Sequence, residues 1–175
     1  MGTNIKQAIK SNKGATIFAC NVYDPSMYGV VKLSKNDKPL SIIEKPKKFI
    51  SNYAVTGLYI YDKHATDYVT KIKKSKRNEL EITDINKIYL KKNKLNVQIL
   101  NRGSAWLDMG TFDLLSNASD FVKTIETRQG FMISCPEEIA WRNSWIDKEK
   151  LFNISKNYKN SYGLYLRKLL NLDEN

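Results

Sequence analysis

The chain has 175 residues, 42% of them hydrophobic, and a formal net charge of +11 at pH 7. A chain of this length buries about 70% of its unfolded surface, so it needs no disulfide or metal staple and fits one domain, or one domain with a small appendage. The only two cysteines, Cys20 and Cys135, are far apart in sequence, which argues against a disulfide framework or a zinc site and favours the cytoplasm. No run of residues is long and apolar enough for a membrane span, so we expect no membrane association.

Strands and helices are mixed in the first hundred residues. The predicted elements, in chain order, are a helix at 3–13, strands at 15–22, 29–34, 40–44 and 53–61, helices at 62–74 and 82–91, and a strand at 95–100. The stretch 53–61, Y-A-V-T-G-L-Y-I-Y, is rich in aromatic and β-branched residues, which predicts a long, well-buried strand. A helix leading into a strand is typical of the middle of an α/β domain, and the sequence contains no G-x-G-x-x-G phosphate loop.

Only helices are predicted in the remainder of the chain. Thr111 can cap a helix that runs to about residue 128, and further helices are expected from Pro136, at 147–152 and at 162–170. The helix predicted at 111–128 has a periodic apolar face, formed by Leu114, Leu115, Ala118, Phe121, Val122 and Ile125. The order of elements predicts a helix-flanked mixed sheet in a domain of residues 1–130 and a helical C-terminal appendage at 131–175.

Lysine-rich runs occur at 45–48, 71–77 and 91–94. A strongly basic balance is typical of surfaces that bind nucleic acid or phosphate. Lys, Asn and Ile recur throughout the chain, however, and lysine-rich turns are commonly solvated faces. No RNA-recognition or helix-turn-helix pattern organises the runs, so we expect no nucleic-acid partner. Of the three functions considered for this chain, which are an enzyme, a sugar-nucleotide-binding subunit and a nucleic-acid binder, the last is the weakest hypothesis.

One carboxylate stands out in R-G-S-A-W-L-D-M-G-T, at 102–111. Asp108 lies between Leu107 and Met109, and a charge in apolar surroundings is costly unless it has a partner. Mg²⁺ is one such partner, because magnesium sites use one or two carboxylates together with substrate phosphates. A salt bridge to Arg102 and a capping role near Thr111 are equally compatible with the sequence.

Two further pairs lie at strand ends. Glu44 and Lys45 come just before Pro46, which ends the strand. Both side chains can then reach a crevice beyond the carboxyl end of a sheet, where α/β proteins bind ligands, or they form a surface turn. Tyr28 and Gly29 precede another strand, where glycine either lets a ligand approach a backbone N–H or simply allows a turn.

The stretch R-N-E-L-E-I-T-D, at 77–84, has two interpretations. Its carboxylates are suited to the first turn of a helix, where they complement the helix dipole. Arg77 is alternatively suited to clamp a phosphate through its forked guanidinium.

Seven motifs follow one another in this sequence. They are G-A-T-I-F-A, D-P-S-M-Y-G-V-V, I-I-E-K-P, S-N-Y-A-V-T-G-L-Y, E-L-E-I-T-D-I-N, R-G-S-A-W-L-D-M-G-T and R-Q-G-F-M-I-S-C-P-E-E-I-A. From about Gly14 onward, the chain resembles the glucose-1-phosphate thymidylyltransferases. The resemblance implies a Rossmann-like nucleotidyltransferase fold, of which this chain is a part. It also implies transfer of a thymidylyl group from dTTP to glucose 1-phosphate, giving pyrophosphate and dTDP-glucose for rhamnose and other deoxysugar pathways.

The resemblance also implies roles for individual residues. The W-L-D aspartate, Asp108, would be a Mg²⁺ ligand, and the E-K-P lysine, Lys45, would contact the sugar phosphate. Arg77 would lie near the phosphates, although Asn78 stands where relatives often have glycine. The sugar pocket would be formed by Glu44, Tyr28, Gly29 and Val55. A second, regulatory nucleotide site would be formed by Arg102, Ser134, Glu138, Ile139 and Arg142, so that Arg102 and Asp108 would serve different sites.

The family's N-terminal part has no counterpart among these motifs. In the family that part carries the G-x-G-T-R-L triphosphate loop, thymine recognition and a second metal-binding aspartate. We therefore expect the chain to be inactive alone and to work with such an N-terminal half, or in a homo-oligomer, since relatives are tetramers. The alternative is a non-catalytic, sugar-nucleotide-binding or regulatory subunit of a full-length relative.

Overall fold

The computed structural model describes residues 2–172, with side chains between 5 and 170. Its contacts divide the chain into two compact units, Met1–Trp106 and Leu107–Asn175. The helix predicted at 111–128 therefore belongs to the second unit, although the sequence places it in the first domain. The domain boundary after residue 130 stays a prediction.

The first unit is a mixed five-stranded sheet with helices. Its elements are α1 (Gly2–Ser11), β1 (Ala15–Asn21), β2 (Gly29–Leu33), β3 (Pro39–Glu44), β4 (Tyr53–Tyr61), α2 (Ala65–Val69), α3 (Ile82–Lys91) and β5 (Leu95–Ile99). The strands lie in the order β3-β2-β4-β1-β5. The β1–β5 pair is parallel and the other pairs are antiparallel, which confirms the predicted mixed sheet.

Helices pack on both faces of this sheet. Consecutive residues of β1 point to opposite faces, and accordingly Ile17 packs in a cluster with Ile85 and other residues of α3, whereas Phe18 packs with Ala8 of α1. Ile17 and Phe18 are completely buried. The two helices thus cover opposite faces of the sheet.

A bulge in β4 keeps its side chains on the correct face. Ile17 pairs with Tyr59 and Ala19 pairs with Val55, so residues 56–58 of β4 lie opposite a single residue of β1. The buried Thr56 hydroxyl compensates for the interrupted ladder by donating to the Phe18 carbonyl at 3.1 Å. Because the bulge adds two residues, Val55 and Tyr59 remain on the α3 side of the sheet.

Helix α2 is much shorter than predicted. It ends at Val69 rather than at residue 74. The hydroxyl of Thr70 donates to the Asp67 carbonyl at 2.8 Å and so competes with continuation of the helix. Lysines at 71, 73, 74 and 76 then bring like charges together, which disfavours further helical turns.

The second unit is helical, as predicted. It contains α4 (Phe112–Gln129), α5 (Pro136–Arg142), α6 (Lys148–Ser155) and α7 (Ser161–Leu172). Thr111 caps α4 by accepting a hydrogen bond from the Leu114 N–H at 3.2 Å, and Gly130 ends it in the left-handed conformation. The core of the unit consists of Cys135, Leu151, Leu166 and Leu169. Among the residues that the structure describes, none of the helices is long and apolar enough for a membrane span.

A buried hydrogen bond in the first unit predicts a pH dependence. The hydroxyl of the buried Tyr89 donates to Asp62 Oδ1 at 2.6 Å, and this bond lowers the pKa of Asp62 below its usual value of 3.8. A carboxylate whose pKa is depressed on folding stabilises the fold above its unfolded pKa, and this contribution is lost as the pH falls through the folded pKa.

We therefore expect Tyr89→Phe to destabilise the first unit at pH 7 by more than it does at a pH below the lowered pKa of Asp62, where this carboxyl group is protonated in the folded protein as well. Urea unfolding at the two pH values measures the difference. A destabilisation that is equal at both would contradict the assignment of the acid dependence to this bond.

Candidate active site

Two strand ends that were singled out separately meet at one corner of the sheet. In the β2–β3 register Gly29 lies opposite Glu44. Beyond this pair, the Lys45 N–H donates to the Tyr28 carbonyl at 3.0 Å. The Y-G and E-K-P motifs are therefore neighbours in space, as a shared crevice requires.

The Glu44 carboxylate is held in place from α3. The hydroxyl of Thr83, a buried residue in the first turn of α3, donates to Glu44 Oε2. Glu44 Oε1 makes no hydrogen bond with any residue that the structure describes. One carboxylate oxygen is thus fixed and the other remains available to accept a hydrogen bond from a ligand.

Gly29 forms the floor of this corner. A methyl group added to Gly29 would lie 3.1 Å from Glu44 Oε2, 3.2 Å from Thr83 Oγ1 and 3.9 Å from Val55 Cβ. A side chain here would require the carboxylate or the hydroxyl to shift by a few tenths of an ångström, so close packing favours glycine at this position. The predicted pocket residues Gly29, Glu44 and Val55 are therefore brought together.

Sequence reasoning missed Thr83 as part of the site. It was grouped with the polar residues that start a helix, and nothing in its immediate neighbours distinguishes it from a capping residue. Its place in the motif E-L-E-I-T-D-I-N was the one available signal.

Lys45 has an unusual backbone conformation. Its φ of 40° is in the left-handed region, which is uncommon for a non-glycine residue. The strand ends at Glu44, and Pro46 follows, so the chain turns sharply here. The Lys45 side chain is exposed and makes no ion pair with the described residues. Strained backbone of this kind costs about 1–3 kcal/mol and is frequent at functional sites.

Arg77 is paired with carboxylates. Its guanidinium binds Glu79, and its Nε lies 3.3 Å from Glu81 Oε1. The Ser75 hydroxyl donates to the same Glu81 oxygen at 2.8 Å. The hydrogen bond to Glu79 is the main reason why the pKa of Arg77 is raised, and the charges of Glu79, Glu81 and Glu44 add to it.

Asn78 has a φ of 62°, in the left-handed region. Asparagine is among the non-glycine residues that adopt this conformation most readily. The turn is also closed by a hydrogen bond from the Asn78 N–H to the Ser75 carbonyl at 2.9 Å.

Two aromatic rings line the entry to β2. The rings of Tyr28 and Trp106 meet edge to face, with centroids 4.9 Å apart and an interplanar angle of 69°. Trp106 also packs against the cluster of Ala8, Phe18 and Leu100. It therefore anchors the Tyr28 ring to the core of the first unit, a role that sequence reasoning did not assign to it.

Asp108 belongs to the second unit. Its flanking residues are open to solvent, Leu107 to 39% and Met109 to 61%, so the carboxylate is not enclosed by apolar groups. Within the described part of that unit it makes neither a hydrogen bond nor an ion pair. The helix cap is provided by Thr111 and not by Asp108. The carboxylate lies beside Gly110, 3.3 Å from where a methyl group there would sit.

The Asp108 carboxylate is suited to fill one ligand position of a magnesium site. Residues 2–172, whose structure is described, contain no group of three or more His, Cys, Asp or Glu side chains placed to hold a metal ion. A half-exposed, unpaired carboxylate is compatible with Mg²⁺, which commonly takes one or two protein carboxylates and otherwise binds water and phosphate oxygens. Asp108 can therefore supply one ligand.

Four of the five residues predicted for a regulatory site lie on α5 or just before it. Glu138 Oε1 accepts a hydrogen bond from Arg142 Nε at 2.7 Å, and its other oxygen accepts one from Tyr165 of α7. Ile139 is 46% exposed, and Ser134 has a φ of 58° in the turn that enters the helix. The fifth residue, Arg102, is an exposed residue of the first unit.

The chain is similar to known nucleotidyltransferases. The family model described as nucleotidyl transferase matches residues 1–125. A glucose-1-phosphate thymidylyltransferase of Neisseria meningitidis is 48% identical over 167 residues, which cover 95% of this chain and 58% of that protein. One from Mycolicibacterium smegmatis is 49% identical over 171 residues, covering 97% and 59%. The chain thus spans somewhat more than half the length of these relatives.

Solved structures of two nucleotidyltransferases are also similar to this chain. A Bacillus anthracis protein assigned as a glucose-1-phosphate thymidylyltransferase, in complex with a sucrose, superposes with a TM-score of 0.60 at 37% identity, covering 68% of this chain and 47% of that one. A UDP-glucose pyrophosphorylase complexed with UDP-glucose has a TM-score of 0.62 at 21% identity, covering 69% and 48%, and shows the fold alone. The predicted α/β, Rossmann-like nucleotidyltransferase fold is confirmed.

Proposed function

The chain belongs to the nucleotidyl transferase family, and from this premise we propose that it provides the sugar-phosphate-binding part of a glucose-1-phosphate thymidylyltransferase. The reaction transfers a thymidylyl group from dTTP to glucose 1-phosphate and yields dTDP-glucose and pyrophosphate. The observation that carries the proposal is the corner where Gly29, Glu44 and Thr83 meet, because three motifs distant in sequence converge there on one carboxylate.

Sugar recognition rests on groups of this corner. Glu44 Oε1, free of partners among the described residues, accepts hydrogen bonds from sugar hydroxyls, while Thr83 fixes the other oxygen. The missing side chain at Gly29 lets the sugar approach the backbone. Val55 and the ring of Tyr28 supply apolar surface, which suits the C–H faces of a hexose.

Phosphate recognition requires cations close to this corner. The exposed Lys45 ammonium contacts the phosphate of glucose 1-phosphate, whose oxygen attacks the α-phosphorus of dTTP as pyrophosphate leaves. Catalysis of such a transfer consists mainly of positioning and of neutralising charge. Arg77, already bound to Glu79 and Glu81, adds positive charge only if a phosphate competes with these carboxylates.

Asp108 would hold Mg²⁺ through its carboxylate. The ion, when bound, neutralises charge on the phosphates. A single carboxylate without a phosphate loop binds Mg²⁺-dTTP weakly, so we expect turnover only with a polypeptide that supplies the family's remaining part. The product would enter rhamnose and other deoxysugar pathways in the cytoplasm.

We further propose that Ser134, Glu138, Ile139 and Arg142 contribute to a regulatory nucleotide site on the second unit. The support is the arrangement of these four residues around α5, where Arg142 offers a guanidinium to an anionic ligand. Glu138 holds that guanidinium from its own helix.

Sugar binding tests the proposal directly. Calorimetry should detect glucose 1-phosphate binding to the chain, and Glu44→Gln should weaken it because a carboxylate accepts stronger hydrogen bonds than an amide. Glu149→Gln, which changes an exposed carboxylate of α6, is the matched control. Equal affinities in all three proteins would refute the sugar site.

Turnover tests the metal ligand. We expect the chain, mixed with the N-terminal part of a relative, to release pyrophosphate from dTTP and glucose 1-phosphate. Asp108→Asn should abolish most of this activity while glucose 1-phosphate binding is retained. Full activity in the Asp108 variant, or none in a properly folded wild-type mixture, would contradict the proposal.

We expect Thr83 to affect glucose 1-phosphate affinity by orienting the Glu44 carboxylate. Thr83→Val keeps the shape of the side chain but removes the hydrogen bond to Glu44. We expect glucose 1-phosphate affinity to fall about tenfold or more, since a hydrogen bond to a charged group contributes about 1.5–3 kcal/mol. Thr83→Ser retains the hydroxyl and should stay close to wild type in the same calorimetric measurement. If the serine variant binds glucose 1-phosphate as weakly as the valine variant, the methyl group of Thr83 and not its hydroxyl determines the affinity.

A further inference from the structure

The net positive charge of the chain comes entirely from its first unit. Residues 1–106 contain 20 Lys and Arg against 8 Asp and Glu, whereas residues 107–175 contain 9 against 10. A general lysine-rich composition would raise the charge of both units. The excess therefore calls for an explanation specific to the first unit.

Part of this excess surrounds the candidate sugar-phosphate corner. Lys47 and Lys48 follow directly after the Glu44–Lys45 turn, and Lys73, Lys74 and Lys76 precede Arg77. All five are exposed. None of the five makes an ion pair or a hydrogen bond through its side chain with another residue in the described part of the chain.

Hydrogen bonds connect the start of α3 both to the segment 73–77 and to Glu44, which lies three residues before Lys47. The segment 73–77 is fastened to the start of α3, because Ser75 and Arg77 both bind Glu81. Two residues further along α3, Thr83 binds Glu44. The charge of Glu44 also contributes to the raised pKa of Arg77, which agrees with their proximity.

We propose that Lys47, Lys48, Lys73, Lys74 and Lys76 form a basic collar that attracts phosphate-bearing ligands to the corner by long-range electrostatics. The inference rests on the proposed function, since it takes the ligand to be a sugar phosphate bound at Glu44 and Lys45. The collar lysines do not touch the bound ligand. They raise its local concentration and its rate of arrival, as clefts lined by one sign of charge do.

Such an effect has a characteristic dependence on ionic strength. The Debye length falls from about 30 Å at 0.01 M to about 3 Å at 1 M. Attraction that acts across several residues is therefore strong at low salt and absent at high salt. A lysine in direct contact with the phosphate would keep part of its effect at high salt.

The test compares two triple variants of equal net charge. Lys73, Lys74 and Lys76 are changed to Gln in one, and Lys6, Lys10 and Lys13 in the other; the second set lies on and just after α1, on the opposite sheet face from α3. Glucose 1-phosphate affinity is measured by calorimetry at about 0.01 M and about 1 M salt. We expect the collar variant to bind about threefold more weakly at low salt and equally at high salt, and the α1 variant to match wild type at both.

Each other outcome overturns the idea. Equal weakening in the two variants would assign the effect to net charge, and weakening that persists at high salt would assign it to direct contact. Unchanged affinity in the collar variant, with normal binding by wild type, would refute the collar and leave the proposed function intact. If wild type binds no glucose 1-phosphate even at low salt, the proposed function fails and the collar with it.

Discussion

Gly29→Ala is expected to weaken glucose 1-phosphate binding by about tenfold to a hundredfold while the chain remains folded. The added methyl group would lie 3.1 Å from Glu44 Oε2 and 3.2 Å from Thr83 Oγ1. Both atoms must then move by a few tenths of an ångström, which disturbs the bond that orients the carboxylate. The methyl group also covers the backbone that the sugar is proposed to approach.

Calorimetry with glucose 1-phosphate measures the loss, and Gly103→Ala is the matched control, because a methyl group there would meet nothing within 4 Å. Overpacking at Gly29 should cost stability of only about 1–3 kcal/mol, so circular dichroism should be unchanged. A Gly29 variant that binds as tightly as the Gly103 variant would show that the corner is not the sugar site.

Gly163→Ala is expected to destabilise the second unit by about 3 kcal/mol or more. A methyl group on Gly163, in the first turn of α7, would lie 2.0 Å from the carbonyl oxygen of Tyr158. That atom belongs to the backbone of the turn joining α6 to α7, so it cannot rotate away as a side chain can. The start of α7 is further fixed by Asn160, whose Oδ1 accepts from the Tyr162 N–H at 3.1 Å.

Urea unfolding followed by tryptophan fluorescence measures this effect, because Trp141 and Trp145 lie in the second unit and Trp106 in the first. Gly130→Ala provides a graded comparison. Gly130 has a φ of 71° but open space around it, so alanine there should cost only about 1–2 kcal/mol of backbone strain. Equal destabilisation by the two substitutions would mean that the clash at Tyr158 relaxes.

Local patterns in the sequence predicted most of the fold. Aromatic and β-branched residues predicted β4 at 53–61, and the structure has the strand at Tyr53–Tyr61. The predicted α2 was too long because the helical periodicity of the sequence continues through 71–74. Repulsion between lysines and the hydrogen bond of the Thr70 hydroxyl end the helix earlier. The bulge at 56–58 was not foreseeable, since it depends on the register with a strand distant in sequence.

The candidate site was predictable only in part. Glycine before a strand and E-K-P at a strand end indicated separate crevice residues, and strand pairing brought them together. Thr83 and Trp106 could not be found in this way, because their partners Glu44 and Tyr28 are remote in the chain. For Asp108 the apolar sequence neighbours gave no guide to its surroundings, because the exposure of Leu107 and Met109 depends on the tertiary fold.

The turn before the Glu79–Glu81 segment holds a residue other than glycine, Asn78, in the left-handed conformation. What the turn requires is a positive φ, which Asn78 supplies at 62°. Asparagine has fewer conformations to lose on folding than glycine has. Asn78 therefore holds the turn beside Arg77 at a smaller loss of conformational entropy than a glycine would.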